Sequence, residues 1–219
     1  HMLSNMQAVR AALDSLTLET DGVDGKSIYI YGEGWDFGEV ENNARGVNAT
    51  QLNIGGTGIG VFNDRLRDGV RGGNPFDDPR LQGFSTGLAI SPNEVEVRSP
   101  EVQLEKLLDY TNWIKIGMAG NLSAYTIVKA DGEVVDGAHV SYGGKPAGYT
   151  LDPQENIIYV SAHDNETLFD AIQLKAGSET DLQERIRMNN LALSIPMLSQ
   201  GIPFFHAGDT CYPLASLDE

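Results

Sequence analysis

Apolar residues recur at helical spacing in three stretches of the chain, which predicts three amphipathic helices. The first covers residues 4–18, with Ser4 or Asn5 as its capping residue. The second opens at Ser99, a capping serine followed by a proline at the first helical position. The third opens with the capping box at residues 180–183, and Pro196 is expected to kink or end it. The apolar stripes are Met6, Val9, Leu13 and Leu16; Leu104, Leu107, Leu108, Ile114 and Met118; and Leu182, Ile186 and Leu193.

Short apolar runs rich in β-branched and aromatic residues predict four strands, at residues 27–31, 59–62, 157–162 and 202–205. Their alternation with helices favours an α/β fold in which parallel strands are joined by helical crossovers. An eight-stranded barrel of this kind takes about 250 residues. With four strands, the chain is therefore expected to form half of a (β/α)8 TIM barrel.

Glycine, asparagine and proline dominate the long segments between these elements. Residues 32–60, 71–98 and 120–156 are accordingly predicted to be irregular excursions. His1 and Met2 resemble a cloning remnant and are left out of the predicted fold, so a single half-barrel domain is expected over residues 3–219. No secretory signal is visible, and the compartment is left open.

The composition narrows the function classes. The chain has 219 residues, of which 41% are hydrophobic, and it carries a formal net charge of -16. A surface this acidic repels nucleic acid and anionic membranes, and it suits a neutral ligand such as a carbohydrate. No apolar run is long enough to span a bilayer. Cys211 is the only cysteine, so no internal disulfide can form, and we expect this thiol to be inert.

Two strand ends carry the candidate chemistry. The sequence YGEGWD at residues 31–36 places Glu33 directly after an apolar run, between two glycines. Trp35 offers a flat apolar face for a sugar ring. His163 and Asp164 follow the third predicted strand in the same way. Two carboxylates at strand ends, with aromatic and imidazole neighbours, are typical of a glycoside hydrolase site.

Structural alternatives exist for each of these residues. Glu33 alone is compatible with a solvated loop, and His163 with Asp164 is compatible with a polar pair that caps the next segment. We expect no metal site, since His163, Asp164 and Glu166 have no defined ligand geometry and no His/Cys cluster supports them. Four charged residues follow the second strand and predict an ion-pair network: Asp64, Arg65, Arg67 and Asp68. The alternative is that one of them contacts the substrate, and Arg65 is the preferred candidate. His206 and Asp209 predict a hydrogen-bonded pair after the last strand, with ligand contact as the alternative.

Several motifs, taken together and in this order, closely resemble the bacterial pullulanases, debranching enzymes of the α-amylase superfamily. The resemblance covers about residues 6–209. Its motifs are YGEGW at 31–35, NNAR at 42–45, GIGVFNDRLRD at 58–68, PAGY at 146–149, DPQE at 152–155, SAHDNETL at 161–168 and GIPFFHAG at 201–208.

This resemblance implies an eight-stranded β/α barrel whose fifth to eighth strands correspond to the four predicted here. It implies retaining hydrolysis of α-1,6 links in an α-glucan such as pullulan, starch or limit dextrin, without a cofactor. Glu33 would protonate the leaving oxygen and Asp164 would stabilise the transition state. His163 would bind the same sugar. Apart from the resemblance, Trp35, Asn165 and Arg65 are our further candidates for sugar contacts.

The family's nucleophilic aspartate lies on the fourth barrel strand, two residues after an arginine, and no such pattern occurs at the start of this chain. One hypothesis is therefore an enzyme completed by a homodimer. Two half barrels would pair through their exposed sheet edges and bring Asp209 near Glu33 of the partner subunit as a surrogate nucleophile. The second is a catalytically inactive fragment or glucan-binding module. A third is an interaction protein that binds through residues 71–98 and 120–156.

Overall fold

A computed structural model describes residues 1–96 and 98–210, so the prediction for Cys211 lies outside the described part of the chain. Its helices are α1 (Leu3–Asp14), α2 (Leu18–Asp21), α3 (Asp64–Arg71), α4 (Pro100–Met118), α5 (Leu168–Lys175) and α6 (Leu182–Met197). Its strands are β1 (Tyr31–Gly32), β2 (Gly60–Phe62), β3 (Thr126–Val128), β4 (Val134–Asp136), β5 (Ser141–Tyr142), β6 (Lys145–Pro146), β7 (Asn156–Ile158) and β8 (Ile202–Pro203). Within the described residues, no helix is both long and apolar enough to cross a bilayer.

Four strands form one parallel sheet in the order β1-β2-β7-β8. The α/β class and the parallel arrangement of the four predicted strands are thus confirmed. Each strand is shorter than predicted and contains only two or three residues. Strand β1 also extends one residue beyond the predicted run, to Gly32, and β7 begins one residue before it, at Asn156. The central strands β2 and β7 are buried throughout, whereas the edge strands β1 and β8 are exposed.

The predicted helix starts are confirmed in part. Ser99 caps α4 by accepting a hydrogen bond from the Val102 amide, with Pro100 in the first turn. Helix α6 begins one residue later than the capping box implied, because Asp181, not Thr180, accepts from the Glu184 amide at 2.8 Å. Capping of the first helix by Ser4 or Asn5 was wrong. Both residues lie inside α1, which begins after Met2 with no side-chain cap.

The segment 120–156 is not irregular as predicted, because it contains two antiparallel hairpins. One pairs β3 with β4 and the other pairs β5 with β6. The signal was present in the sequence. The β-branched run of β3 is separated from that of β4 by a turn at Asp131-Gly132, a typical hairpin pattern. The second hairpin places Tyr142 against the helix that follows β2.

The principal core lies on the helix-covered side of the sheet. Leu66 and Val70 of α3 pack there with Ile158, with Val160 and with Ile172 of α5. Helices α4 and α6 complete this cluster with Ile114, Ala192, Leu193 and Ile195. The alternate positions along the strands point to the other side, where Phe62, Ile157 and Tyr159 form an aromatic-rich cluster. That second cluster lies beneath the carboxyl ends of the strands.

His1 and Met2, left out of the predicted fold, are part of it. The His1 carbonyl accepts a hydrogen bond from Ala49 at 2.9 Å, and Met2 forms an antiparallel bridge with Asn48. The Leu3 amide also donates to Val47 at 2.8 Å. The first residues therefore pair with the 47–49 segment.

Lys175, at the end of α5, is a buried cation whose described hydrogen-bond partners are two backbone carbonyls. Its Nζ donates to Gly72 at 2.9 Å and to Leu81 at 2.8 Å. Burial lowers the pKa of Lys175 to about 8, and the nearby Arg71 contributes to this lowering. The contacts tie α5 to the segment that follows α3.

This lowered pKa predicts a rise in stability with pH. Between about pH 8 and about pH 10 the unfolded chain holds the Lys175 proton while the folded chain releases it, so the free energy of unfolding increases with pH. Lys175→Met is expected to remove that increase, as measured by urea unfolding across this window. Lys26 is exposed, so Lys26→Met serves as the matched control and should show the same increase in stability with pH as the wild type. Equal pH slopes for the wild type and Lys175→Met would contradict the prediction.

Candidate functional site

The segments after β1, β2 and β7 converge on one pocket at the carboxyl ends of the strands. It is lined by Glu33, Trp35, Phe62, Arg67, Arg71, Tyr159, Ala162, His163, Asp164 and Asn165. Five of the residues singled out from the sequence are among them: Glu33, Trp35, His163, Asp164 and Asn165. In parallel sheets this rim is where ligands bind.

His163 lies between the two candidate carboxylates. Its Nε2 is 3.2 Å from Glu33 Oε1 and 3.5 Å from Asp164 Oδ2. The three groups offer atoms that all lie within 4.8 Å of one another. Glu33 is 48% exposed and Asp164 is 68% exposed, so both carboxylates open to solvent. Glu33 and His163, which are 130 residues apart in the sequence, thus share one site.

Gly34 allows Glu33 and Trp35 to leave β1 where they do. It adopts φ +75°, and a Cβ at this position would lie 2.8 Å from the Val61 side chain. Only glycine therefore fits the turn, since it tolerates both the left-handed conformation and the close approach. The following Asp36 accepts a hydrogen bond from the Asn42 amide at 2.8 Å, which fixes the next turn of the loop.

The segment after β7 does not continue as a strand, although residues 157–162 were predicted to form one. Asp164 is two and four residues after Ala162 and Val160, so a strand that continued to this point would place it on the same buried face. Its side chain is instead 68% exposed. The reason is that pairing ends at Ile158, so the alternation of a strand no longer applies. Asn165 adopts φ +66°, a left-handed conformation that asparagine tolerates, and this turns the chain towards α5.

Arg65 is absent from the residues that line this pocket. Its guanidinium is buried between the rings of Tyr142 and Tyr149, at 4.7 and 4.8 Å from their centroids. It also pairs with Asp64 and donates to Gln51. These contacts match the ion-pair alternative for Arg65, and they give it a role in joining α3 to the β5–β6 hairpin.

Arg65→Lys is expected to lower the free energy of unfolding by about 2 kcal/mol, because lysine keeps the charge but loses the planar contacts with both tyrosines. The measurement is urea unfolding at neutral pH. Arg187→Lys, on the exposed side of α6, is the matched control and should change the midpoint little. A loss no larger than that of the control would show that the stacked arrangement contributes no stability.

Asp209 lies outside the residues that line the pocket too. Its carboxylate is 5% exposed and lies 3.4 Å from His206 Nδ1, but neither this nitrogen nor the carboxylate has a hydrogen-bond partner among the described residues. The two residues are neighbours as predicted, whereas the hydrogen bond predicted between them is not formed. Its backbone carbonyl accepts from Asn189 of α6 at 3.0 Å. Burial against its own helix layer gives no support to a role for Asp209 as a nucleophile in a partner subunit.

Sequence reasoning missed Arg71, Phe62, Tyr159 and Ala162 as pocket residues. It placed Arg67 in the ion-pair network and preferred Arg65 as the residue of that network that would contact substrate. Asn63 caps α3 immediately after β2, and its side chain accepts from the Leu66 amide. Arg67 and Arg71 are four residues apart and therefore lie on one face of the helix. The spacing was visible, but the direction of that face depends on how α3 packs.

Glu33, His163 and Asp164 are also the one group among the described residues whose donor atoms could hold a metal ion together. The trio differs from the one considered in the sequence, where Glu166 took the place of Glu33. Glu166 instead faces Arg71, with 3.8 Å between its Oε2 and the Arg71 Nη2. The expectation of no metal stays a prediction.

Comparison with known proteins shows the family relationship. The chain is 51% identical over 218 residues to pullulanase 1, chloroplastic, of Arabidopsis thaliana, covering 99% of this chain and 23% of that protein. It is 45% identical over 185 residues to the pullulanase of Klebsiella aerogenes, covering 83% of this chain and 16% of that protein. No family model matches.

Solved structures agree with the sequence relatives. The Klebsiella pneumoniae pullulanase complexed with maltotriose superposes with a TM-score of 0.84 at 38% identity, over 95% of this chain and 19% of that one. The apo pullulanase of Paenibacillus barengoltzii gives a TM-score of 0.63 at 28% identity, over 94% and 24%. The chain thus spans less than a quarter of the length of these relatives.

Proposed function

We propose that the pocket is the acid and sugar-binding part of a glycoside hydrolase site of pullulanase type, since the chain is homologous to the pullulanases over nearly its whole length. The substrate class is an α-glucan with α-1,6 links. One structural neighbour, the Klebsiella pneumoniae pullulanase, was crystallised with maltotriose, a short α-glucan. An acidic chain with net charge -16 is compatible with such a neutral substrate.

In this proposal Glu33 is the general acid and Asp164 stabilises the positive charge that develops on the sugar in the transition state. His163 lies between them and is suited to donate to a sugar hydroxyl, while Trp35 supplies a stacking face. Asn165 adds an amide at the same rim. The observation that carries the proposal is the convergence of Glu33, His163 and Asp164, at 3.2 and 3.5 Å, from two separate strand ends.

We further infer that the sheet is half of a (β/α)8 barrel, corresponding to its fifth to eighth strands. Four adjacent parallel strands in chain order, covered by helices on one face, support this interpretation. Glu33 and Asp164 are the two carboxylates that line the pocket, and retaining hydrolysis also needs a nucleophile. That group would come from a further polypeptide segment.

Pairing of two copies through β1 and β8 is one way to supply it, because both edge strands are exposed. Sedimentation at micromolar concentration tests this pairing directly. A monomer would rule out completion of the site by a second copy, and the nucleophile would then have to come from a different segment.

Reducing-sugar release from pullulan by the purified chain, together with maltotriose binding by calorimetry, tests the proposed function. Release of reducing ends that depends on Glu33 supports it, and absence of both release and binding contradicts it. Binding without release favours the second candidate, a catalytically inactive glucan-binding module. The presence of only two carboxylates among the residues that line the pocket is the observation in favour of that alternative.

A further inference from the structure

Arg67 is a cation at the edge of the pocket that the proposed mechanism does not use. Its side chain is 13% exposed and lines the pocket beside Glu33 and Asp164. Its Nε donates to Asp68 at 2.7 Å and its Nη1 donates to the Tyr159 hydroxyl at 2.7 Å. Its Nη2 donates to no acceptor within the described residues. A guanidinium held at two points with a third group unused is suited to donate to a ligand.

Asp68 is what holds this guanidinium. Its side chain is 4% exposed, and the Tyr142 hydroxyl donates to its Oδ2 at 2.5 Å while Arg67 Nε donates to its Oδ1. The Tyr142 hydroxyl also lies 3.4 Å from Asp64 Oδ2. Both carboxylate oxygens are therefore occupied, one by the pocket arginine and the other by the β5–β6 hairpin. The buried Asp68 carboxylate therefore fixes the orientation of the Arg67 guanidinium.

We propose that Arg67 is a ligand for sugar hydroxyl groups in this pocket and that Asp68 is the positioning residue that orients it. The proposal rests on the proposed function, because it assumes that the pocket binds an α-glucan. Arg67 Nη2 would donate to a hydroxyl of the sugar held between Trp35 and His163. Tyr159 would keep the plane of the guanidinium aligned with the pocket.

Protonation of Asp68 should make ligand binding depend on pH in a way that can be measured. Burial raises the pKa of Asp68 to about 6, with the Arg67 charge and hydrogen bond opposing the rise. Below that pH, Asp68 becomes neutral and its hold on Arg67 weakens. The charged and titratable groups around Asp68 are Asp64, Arg67 and Arg71 on α3, Tyr110 on α4, Tyr142 on β5, Tyr159 after β7 and Lys175 on α5.

Maltotriose affinity of the whole chain, measured by calorimetry, tests the assignment of Arg67. Arg67→Gln is expected to weaken binding roughly tenfold, the loss of one hydrogen bond from a charged donor. Arg187→Gln on the exposed face of α6 is the matched control and should bind as the wild type does. Far-UV circular dichroism establishes that each variant folds. If Arg67→Gln does not, Arg67→Lys, which keeps the pair with Asp68, provides the comparison.

The role of Asp68 is tested by the ratio of wild-type affinity to Asp68→Asn affinity as a function of pH. Above about pH 7 we expect the wild type to bind several-fold more tightly, and below about pH 5 the two affinities should converge, because Asp68 is then neutral in both proteins. A pH effect that is common to both proteins cancels in the ratio. A purely structural effect of the substitution would leave the ratio constant.

Each outcome separates this inference from the proposed function. Wild-type affinity in Arg67→Gln would overturn the assignment of Arg67 and leave the glucan-binding pocket intact. A ratio that does not change with pH would overturn the positioning role of Asp68. If the wild-type chain itself binds no maltotriose while folded, the inference fails. The proposed function fails with it only when the chain also releases no reducing ends from pullulan.

Discussion

On the proposed function, replacing Glu33 by glutamine is expected to lower the rate of reducing-end release from pullulan by about a hundredfold or more. Glutamine keeps the size and the polar contact of the side chain with His163, but it has no proton to give to the leaving oxygen. Binding should change far less, because an amide still interacts with His163 and Trp35 still offers its face. The result is therefore a fall in kcat with KM nearly unchanged.

The measurement is initial rate against pullulan concentration for the wild type and Glu33→Gln. Glu133→Gln in the β3–β4 hairpin is the matched control, since it makes the same chemical change outside the pocket. A variant at Glu33 that keeps the wild-type rate would show that the acid is another group. An equal fall in Glu133→Gln would mean that the loss reflects folding.

Gly72→Ala is expected to lower the free energy of unfolding by about 4 kcal/mol. Gly72 ends α3 with φ +92° and ψ +136°, a conformation essentially restricted to glycine. A Cβ there would lie 2.1 Å from the Gln82 carbonyl carbon and 2.2 Å from the Gly83 nitrogen. Both are backbone atoms, so no side chain can swing aside, and the segment that accepts the Lys175 hydrogen bonds must move.

The control for this substitution separates the cost of the backbone conformation from the cost of the steric clash. Gly22→Ala also places alanine at a positive φ, +71°, but no atom lies within 4 Å of the added Cβ. It should cost about 1 kcal/mol, the strain of the conformation alone. Urea unfolding of both variants measures the difference, and equal losses would show that the contact between Gly72 and residues 82–83 does not matter to stability.

The sequence was sufficient to predict the sheet and the pair of carboxylates because both follow from local order. An apolar run that ends in polar residues marks the end of a strand, and parallel strands bring such ends to one rim. The residues after β1 and β7 therefore met where they were expected, with Glu33 and Asp164 on either side of His163. Trp35 and Asn165 followed from the same reasoning.

Other features were beyond that reasoning because they depend on packing. Helix α3 is rich in arginine and aspartate, and nothing in the spacing of these residues says which side faces the pocket. In the structure, Arg65 packs between Tyr142 and Tyr149. Arg67 and Arg71 line the pocket. A charged residue that packs between aromatic rings about 80 residues away in the sequence has no local signature.

The arrangement of β1 and β7 on either side of β2 has a consequence for how the site comes into being. Glu33 and Asp164 are distant along the chain, and they approach each other only once both strands have joined the same central neighbour. Closing so long an intervening segment of chain costs entropy before strand pairing compensates for it, so we expect the contact between these two residues to form late in folding. Helices can appear early without creating any trace of the carboxylate pair. Formation of the pocket therefore indicates that the whole sheet has assembled, whereas helical content alone does not.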